Sequence, residues 1–244
     1  MHRFYAAPGN SSPSRFGLDE ADSYHALHVL RLGPGDQAEV VFRGERYLAV
    51  IESCQGTGVT LAPLEKLPST EPRLSVTLFQ GLPKGDKMDL IVQKACELGV
   101  ARIVPVSFSR SIVKLADKDS QRKTERWRKI AREAGKQSGR CVVPEIDPVI
   151  PFRSLPSCFP ACTAVAVPWE ECGEGGPLSF VRRHPSLPSL GIVIGPEGGI
   201  SPEEMDVMLR HGCEAITLGS RILRTETAGL AAVSVFFGLY GEME

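Results

Sequence analysis

Gly191-Ile-Val-Ile-Gly-Pro-Glu-Gly-Gly-Ile-Ser-Pro-Glu-Glu204 is the stretch on which the fold of this chain turns. Ile192 to Ile194 form an apolar run short enough for a buried strand, and Gly195-Pro196-Glu197-Gly198-Gly199 holds too much Gly and Pro to prolong it. Ser201 is placed to cap a helix whose first residue is Pro202, with Glu204 completing a capping box. The expected order is strand, glycine loop, helix. A second segment, Leu218-Gly-Ser-Arg-Ile-Leu-Arg-Thr-Glu-Thr-Ala228, repeats it. There Ala215 to Leu218 reads as a short strand, Gly219-Ser220 breaks it, and Thr225 or Thr227 opens an apolar helix through Val233 to Leu239.

Glycines beyond a strand let a ligand approach the backbone, and the free amides at a helix start accept polar groups. A tight strand-to-helix connection without a ligand uses the same residues, so the first loop alone does not identify a site. Neither nucleotide-loop signature, G-x-G-x-x-G or G-x-x-x-x-G-K-[ST], is present. The second loop is more informative, because Arg221, Arg224 and Glu226 gather at a strand end where a structural turn needs no such charges.

Upstream, Leu74 to Leu78, Ile103 to Val106 and Thr163 to Val167 join the two C-terminal strands in alternation with helical stretches. This pattern predicts an α/β domain with a mostly parallel sheet. Prolines and polar residues between Ala62 and Pro72 mark a domain boundary. Before it, Gln37 to Phe42, Arg46 to Ser53 and Gly58 to Leu61 are spaced by Gly-containing turns, as in a small β-barrel. A helix near Asp19 to Leu30 interrupts them, with Asp22, His25 and Arg31 on one side and Leu27, Val29 and Leu30 packing inward. His25 and His28 have metal-ligand spacing but no further ligand cluster nearby, so no metal is expected.

The formal net charge is only −1, which does not announce a nucleic-acid partner. Local clustering is different: Lys114, Lys118, Arg122, Lys123, Arg126, Arg128, Lys129, Arg132, Lys136 and Arg140 face only Asp117, Asp119, Glu125 and Glu133, a patch to which a phosphate backbone is attracted. Trp127, Ile130, Ala131 and Ala134 share one helical face, while Arg122, Arg126, Lys129, Lys136 and Arg140 lie roughly opposite. A solvated face laced with pairs such as Glu125 to Lys129 would look the same. The seven cysteines are an odd number without a C-x-x-C pair, which predicts reduced, mostly buried thiols. No apolar run is long enough to span a membrane and Met1-His-Arg-Phe-Tyr5 is no signal peptide, which predicts a cytoplasmic protein.

The two C-terminal segments together resemble the signature of the SPOUT class of S-adenosylmethionine-dependent RNA methyltransferases, and within it the RsmE family of 16S ribosomal RNA uridine-N3 methyltransferases. The resemblance extends to Lys84-Gly-Asp-Lys-Met-Asp89, Gln93-Lys-Ala-Cys-Glu-Leu-Gly-Val100, Arg110-Ser111, Glu125-Arg-Trp127 and Gln137-Ser-Gly-Arg140. It also takes in Arg3-Phe4, His28-Val-Leu-Arg31 and Gly35-Asp36, so it covers nearly the whole chain. It implies a PUA-like RNA-binding barrel in residues 1–70 and a SPOUT domain with a deep trefoil knot in residues 73–244. It also implies a homodimer and a substrate uridine in the decoding region of 16S RNA, within the small subunit.

On this resemblance S-adenosylmethionine is held by Val193, Ile194, Gly195, Pro196, Gly198 and Gly199 of the first loop and by Leu218, Gly219, Ile222 and Leu223 of the second. Val167 and Pro168 close a third side. Residues Cys158 to Leu190 align poorly, which leaves that wall the least defined. Methylating N3 requires loss of its proton and stabilisation of the resulting charge, for which Arg221 and Arg224 are the candidates. Glu197 and Glu226 are candidates for the base, although a salt bridge to a neighbouring arginine explains either. Candidate RNA contacts are Arg3, His28, Arg31, Lys84, Lys87, Arg110, Arg126 and Arg140. A ribose 2′-O-methyltransferase with the same pocket, and a non-catalytic ribosome-assembly factor with the same fold, are the alternatives.

Overall fold

The computed structural model describes residues 1–55, 58–112 and 117–243; Lys114 of the basic cluster lies outside them. The chain forms two compact units, one of residues 1–71 with 139–142, the other of residues 72–138 and 143–244.

The first unit is built on β1 (Arg3–Tyr5), β2 (Phe16–Gly17), β3 (Gln37–Phe42), β4 (Glu45–Gln55) and β5 (Gly58–Leu67), in the order β1-β3-β4-β5-β2. β1 runs parallel to β3 and the other pairs are antiparallel. The sheet curls as expected of a small barrel, and its two edges meet just past β1, where the Ala7 amide donates to Gly17 O of β2 at 2.8 Å. Phe4, Phe16, Val40, Ile51 and Leu61 fill its interior. β5 continues well past Leu61, because Pro63 sits opposite Ala49 where the register shifts and no ladder amide is required of it.

The helix expected from Asp19 to Leu30 divides into α1 (Glu20–Tyr24) and a π-helical turn, His25–Val29. The wider turn changes the phase of the side chains. Val29 is therefore exposed rather than packed inward, while Asp22 is buried and Ala26 takes the core position.

The second unit is a seven-stranded, wholly parallel sheet. Its strands are β6 (Ser75–Gly81), β7 (Arg102–Ser107), β8 (Glu145–Ile146), β9 (Ile150–Pro151), β10 (Ala164–Pro168), β11 (Ser189–Ile194) and β12 (Glu214–Ile216). They lie in the order β12-β10-β11-β6-β7-β8, with β9 also on β7. Period-two alternation sorts the strand residues into two cores. Leu78, Ile103, Ala166, Ile192 and Ile194 face α2 (Lys87–Leu98), α3 (Asp117–Ser138), α4 (Pro177–Arg183) and α6 (Thr225–Leu239). Phe79, Val104, Val165, Val167 and Val193 face a 3-10 segment, Phe152–Ala161, and α5 (Pro202–Arg210).

Local expectations hold at two helices. Ser201 caps α5 in a complete capping box with Glu204, and Pro202 is its first residue. Trp127, Ala131 and Ala134 of α3 are buried, while Arg122, Arg126 and Lys129 are exposed. α6 begins at Thr225, but no side chain caps it. Leu218 lies beyond the end of β12. All seven cysteines are free, three buried and four half-buried. No described helix is long and apolar enough to cross a membrane.

Candidate active site

The carboxyl ends of β10, β11 and β12 lie side by side, and the loops that leave them enclose a cavity of about 580 Å³. In open parallel sheets this is where ligands bind, because helices cover the faces and leave the strand ends free. Ile194, Gly195, Pro196, Glu197, Gly199 and Ile200 form one wall. Thr217 to Thr225 form the second, and Pro168, Trp169, Glu170, Cys172 and Gly173 the third. Gly173 and Gly219 line the cavity, and a Cβ on either would meet no atom within 4 Å. Backbone is thus bare to a ligand there. Gly219 also sits at φ +101°, where other residues are strained.

Of the expected cofactor residues, Pro168, Ile194, Gly195, Pro196, Gly199, Leu218, Gly219, Ile222 and Leu223 line the cavity. Val167 and Val193 do not. Both are fully buried and point to the α5 side of the sheet, as alternation from Pro168 and Ile194 requires. Gly198 does not line it either, and instead packs on the backbone of Arg110. The third wall contributes Trp169, Glu170, Cys172 and Gly173, which sequence reasoning missed. Trp169, whose indole N–H has no hydrogen-bond partner among the described residues, directly follows β10 and continues the strand-end position of Val167 and Pro168.

Arg221, Arg224 and Glu197 line the cavity, whereas Glu226 does not. One residue along a helix is a rotation of about 100°, so Thr225 and Glu226 face different surroundings. The partner of both glutamates is a lysine rather than an arginine: Lys87 Nζ lies 3.0 Å from Glu197 Oε1 and 3.1 Å from Glu226 Oε2. Glu197 also accepts from the Lys84 amide at 3.0 Å. Burial alone would raise the Glu197 carboxyl, but the Lys84 amide and the Lys87 ammonium outweigh it and hold the carboxyl below its ordinary value. The same two carboxylates raise Lys87, Glu197 first. The three groups tie the start of α2 to the first loop and to the first turn of α6.

Residues 70–237 match the family described as RNA methyltransferase domain, and residues 18–64 match RNA methyltransferase PUA domain. The chain belongs to this RNA methyltransferase family. It is similar to the ribosomal RNA small subunit methyltransferase E of Bacillus subtilis, with 36% identity over 225 residues, 90% of this chain and 88% of the relative. The enzyme of the same name from Mycobacterium tuberculosis is 31% identical over 222 residues, 88% of this chain and 83% of the relative. A crystal structure of ribosomal RNA small subunit methyltransferase E from Neisseria gonorrhoeae bound to S-adenosyl methionine matches with TM-score 0.82 and 33% identity, covering 98% of both chains. The resemblance to the RsmE family stands.

In this methyltransferase the expected RNA contacts fall into two groups. His28, Arg31, Lys84, Arg110 and Arg126 are exposed, with Arg31 held at φ +57° and Arg126 paired to Asp89. Arg3 and Arg140, expected at the RNA surface, are instead paired inside the first unit. Arg140 is 4% exposed and grips Glu71 through Nε and Nη2, and Arg3 is largely buried against Glu39. Each guanidinium is engaged with a carboxylate and largely withdrawn from solvent, whereas a phosphate contact must reach it. Lys87 is half-buried between its two glutamates.

Proposed function

We propose that this protein transfers the methyl group of S-adenosylmethionine to N3 of one uridine in 16S ribosomal RNA, within the small subunit. The observation that carries this is the cavity at the carboxyl ends of β10, β11 and β12, walled by both loops that the resemblance assigns to the cofactor. Support comes from the Neisseria relative, which binds the same molecule.

The residues fit that cofactor. Gly195, Gly199, Leu218 and Gly219 bring the backbone to the cavity wall, where the cofactor can approach it closely, while Pro168, Ile194 and Leu223 offer apolar surface. When bound it supplies an electrophilic methyl group on a cationic sulfur. The residues of this chain align the acceptor and manage its charge. Arg221 and Arg224 stabilise the anion that spreads onto the carbonyl oxygens once N3 loses its proton, and so ease that loss. Glu197 and Glu226 are engaged with Lys87, and we assign them to holding the two loops rather than to abstracting the proton. His28, Arg31, Lys84, Arg110 and Arg126 are the proposed RNA contacts.

The same proposal takes residues 1–70 as the RNA-binding domain and residues 73–244 as the catalytic one, in a cytoplasmic homodimer. Exposed Val235 and Leu239 on α6 are consistent with a face for a second subunit. The knot implied by the resemblance fits a chain whose last helix starts against the loop after β11.

The test is nucleoside mass spectrometry of 16S RNA after incubation of unmodified small subunits with the protein and S-adenosylmethionine. New 3-methyluridine is the expected product. A 2′-O-methyl nucleoside would instead identify a ribose methyltransferase, and no product despite donor binding an assembly factor.

A further inference from the structure

Gln80, the penultimate residue of β6, is fully buried, and its side chain is polar in a position where packing alone would favour a leucine or methionine. Its Nε2 donates to Thr225 Oγ1 at 2.9 Å and to Gly81 O at 3.0 Å. Thr225 Oγ1 in turn lies 2.6 Å from Gly195 O. The direction of every proton in this chain follows from chemistry. A backbone carbonyl only accepts, so the nitrogen end of Gln80 must face Gly81 O. The Thr225 hydroxyl therefore accepts a hydrogen bond from Gln80 and donates its own to Gly195 O. The other end of the amide, Gln80 Oε1, is buried with no hydrogen-bond partner, and an added Cβ at Gly229 would stand 3.1 Å from it. A buried acceptor without a partner is unfavourable, so this amide is held in place by the two bonds of its donor end.

The three residues stand at three places that shape the cavity. Gln80 stands one residue before the end of β6, Gly195 opens the first loop, and Thr225 closes the second and starts α6. Close backbone packing reinforces the junction: a Cβ on Gly81 would lie 2.5 Å from Pro196 N and 2.7 Å from Gly195 C. Arg224, the N-cap of α6, makes no side-chain capping bond, and the Thr225 hydroxyl at the helix start is committed to Gly195 O across the junction.

We propose that Gln80, acting through the Thr225 hydroxyl, is a positioning device that holds the Gly195–Gly199 loop and the Leu218–Arg224 loop at the separation the cofactor requires. The role rests on the assignment of the cavity to S-adenosylmethionine. Gln80 does not line the cavity, and so acts only through Thr225 and Gly195.

The experiment is calorimetric titration of the full-length protein with S-adenosylmethionine, for the wild type and for Thr225→Val, Thr225→Ser, Gln80→Met and the double variant Gln80→Met/Thr225→Val, with thermal melting of each. Valine keeps the shape of threonine and removes only the hydroxyl. Thr225→Val is expected to bind about tenfold more weakly, Thr225→Ser to stay within about twofold of the wild type, and the double variant to be no weaker than the worse single one. Binding by Thr225→Val equal to the wild type, or losses in the two single variants that simply multiply in the double, would overturn the proposal. Lower melting temperatures with unchanged affinity would also overturn it, since a structural bond alone would act that way. If Thr225→Val fails to fold, Gln80→Met carries the same comparison. Absence of binding by the wild type would instead sink the cofactor assignment itself.

Discussion

Replacing Arg140 with methionine separates a structural role from an RNA contact. Its guanidinium meets Glu71 with Nε at 2.9 Å and Nη2 at 2.6 Å from Oε2, and the two side chains are 5% and 18% exposed. Breaking a buried pair by removing one partner costs about 3–5 kcal/mol, because a charge is left behind in poor solvent. Here Glu71 would keep two donors, the amides of Cys141 at 2.6 Å and Val142 at 3.1 Å, and a path to water. The expected loss is therefore lower, about 2–3 kcal/mol. At this chain length that lowers a melting temperature by roughly 4–12 °C. Lysine preserves the charge but cannot form the two-pronged bond, so Arg140→Lys should recover less than half of the loss. Scanning calorimetry reads the stability, and filter binding to 16S RNA below the melting temperature reads the contact. A methionine variant that melts like the wild type yet loses RNA affinity would refute the buried-pair argument and restore Arg140 to the RNA surface.

Gly81→Ala should destabilise the protein by about 1–3 kcal/mol and weaken S-adenosylmethionine binding, since the new Cβ meets rigid backbone of the first loop rather than a side-chain end; equal melting and affinity would count against the close packing. Stability should fall in acid. Burial raises both carboxyls, but Lys84 and Lys87 hold Glu197, and His184 and Arg183 hold Glu214, below the ordinary value in the folded state. Their contribution is thus fully present above the ordinary carboxylate range and is lost as pH drops through the folded values. Melting temperatures in Glu197→Gln and Glu214→Gln should depend less on pH below that range than the wild type, and identical profiles would be the contrary result. Burial pushes the Cys213 thiol up to about 12. Iodoacetamide at pH 8 should leave Cys213 unmodified in the native protein and alkylate it after denaturation, as peptide mass spectrometry can read.

Much of the architecture was legible because it is local. The capping box at Ser201 and Glu204, the apolar face of α3 and the strand-loop-helix order around Gly195 each depend on residues within one or two turns of one another. Period-two and period-3.6 patterns record which face is buried, and the parallel sheet follows from their alternation. The limits of β5 and of α1 were less legible, because a ladder irregularity opposite Pro63 and a π turn after Tyr24 change the phase without a strong local signal.

The site divides in the same way. Glycine loops and charged residues beside strand ends mark Gly195, Gly199, Gly219, Arg221 and Arg224, and all of them line the cavity. What each charge meets could not be read from spacing. Lys87 joins Glu197 and Glu226 across 110 and 139 positions of chain, and Arg140 finds Glu71 across 69. Such pairings depend on how strands and helices stack, so a lysine expected at an RNA surface became a clamp between loops and an arginine expected there became buried. The sequence specifies which segments are strands, loops and helices through short-range stereochemistry and hydrophobic periodicity. Packing of the sheet chooses which of those segments touch, and with them the partner, the solvent access and the chemical role of every charged group in the site.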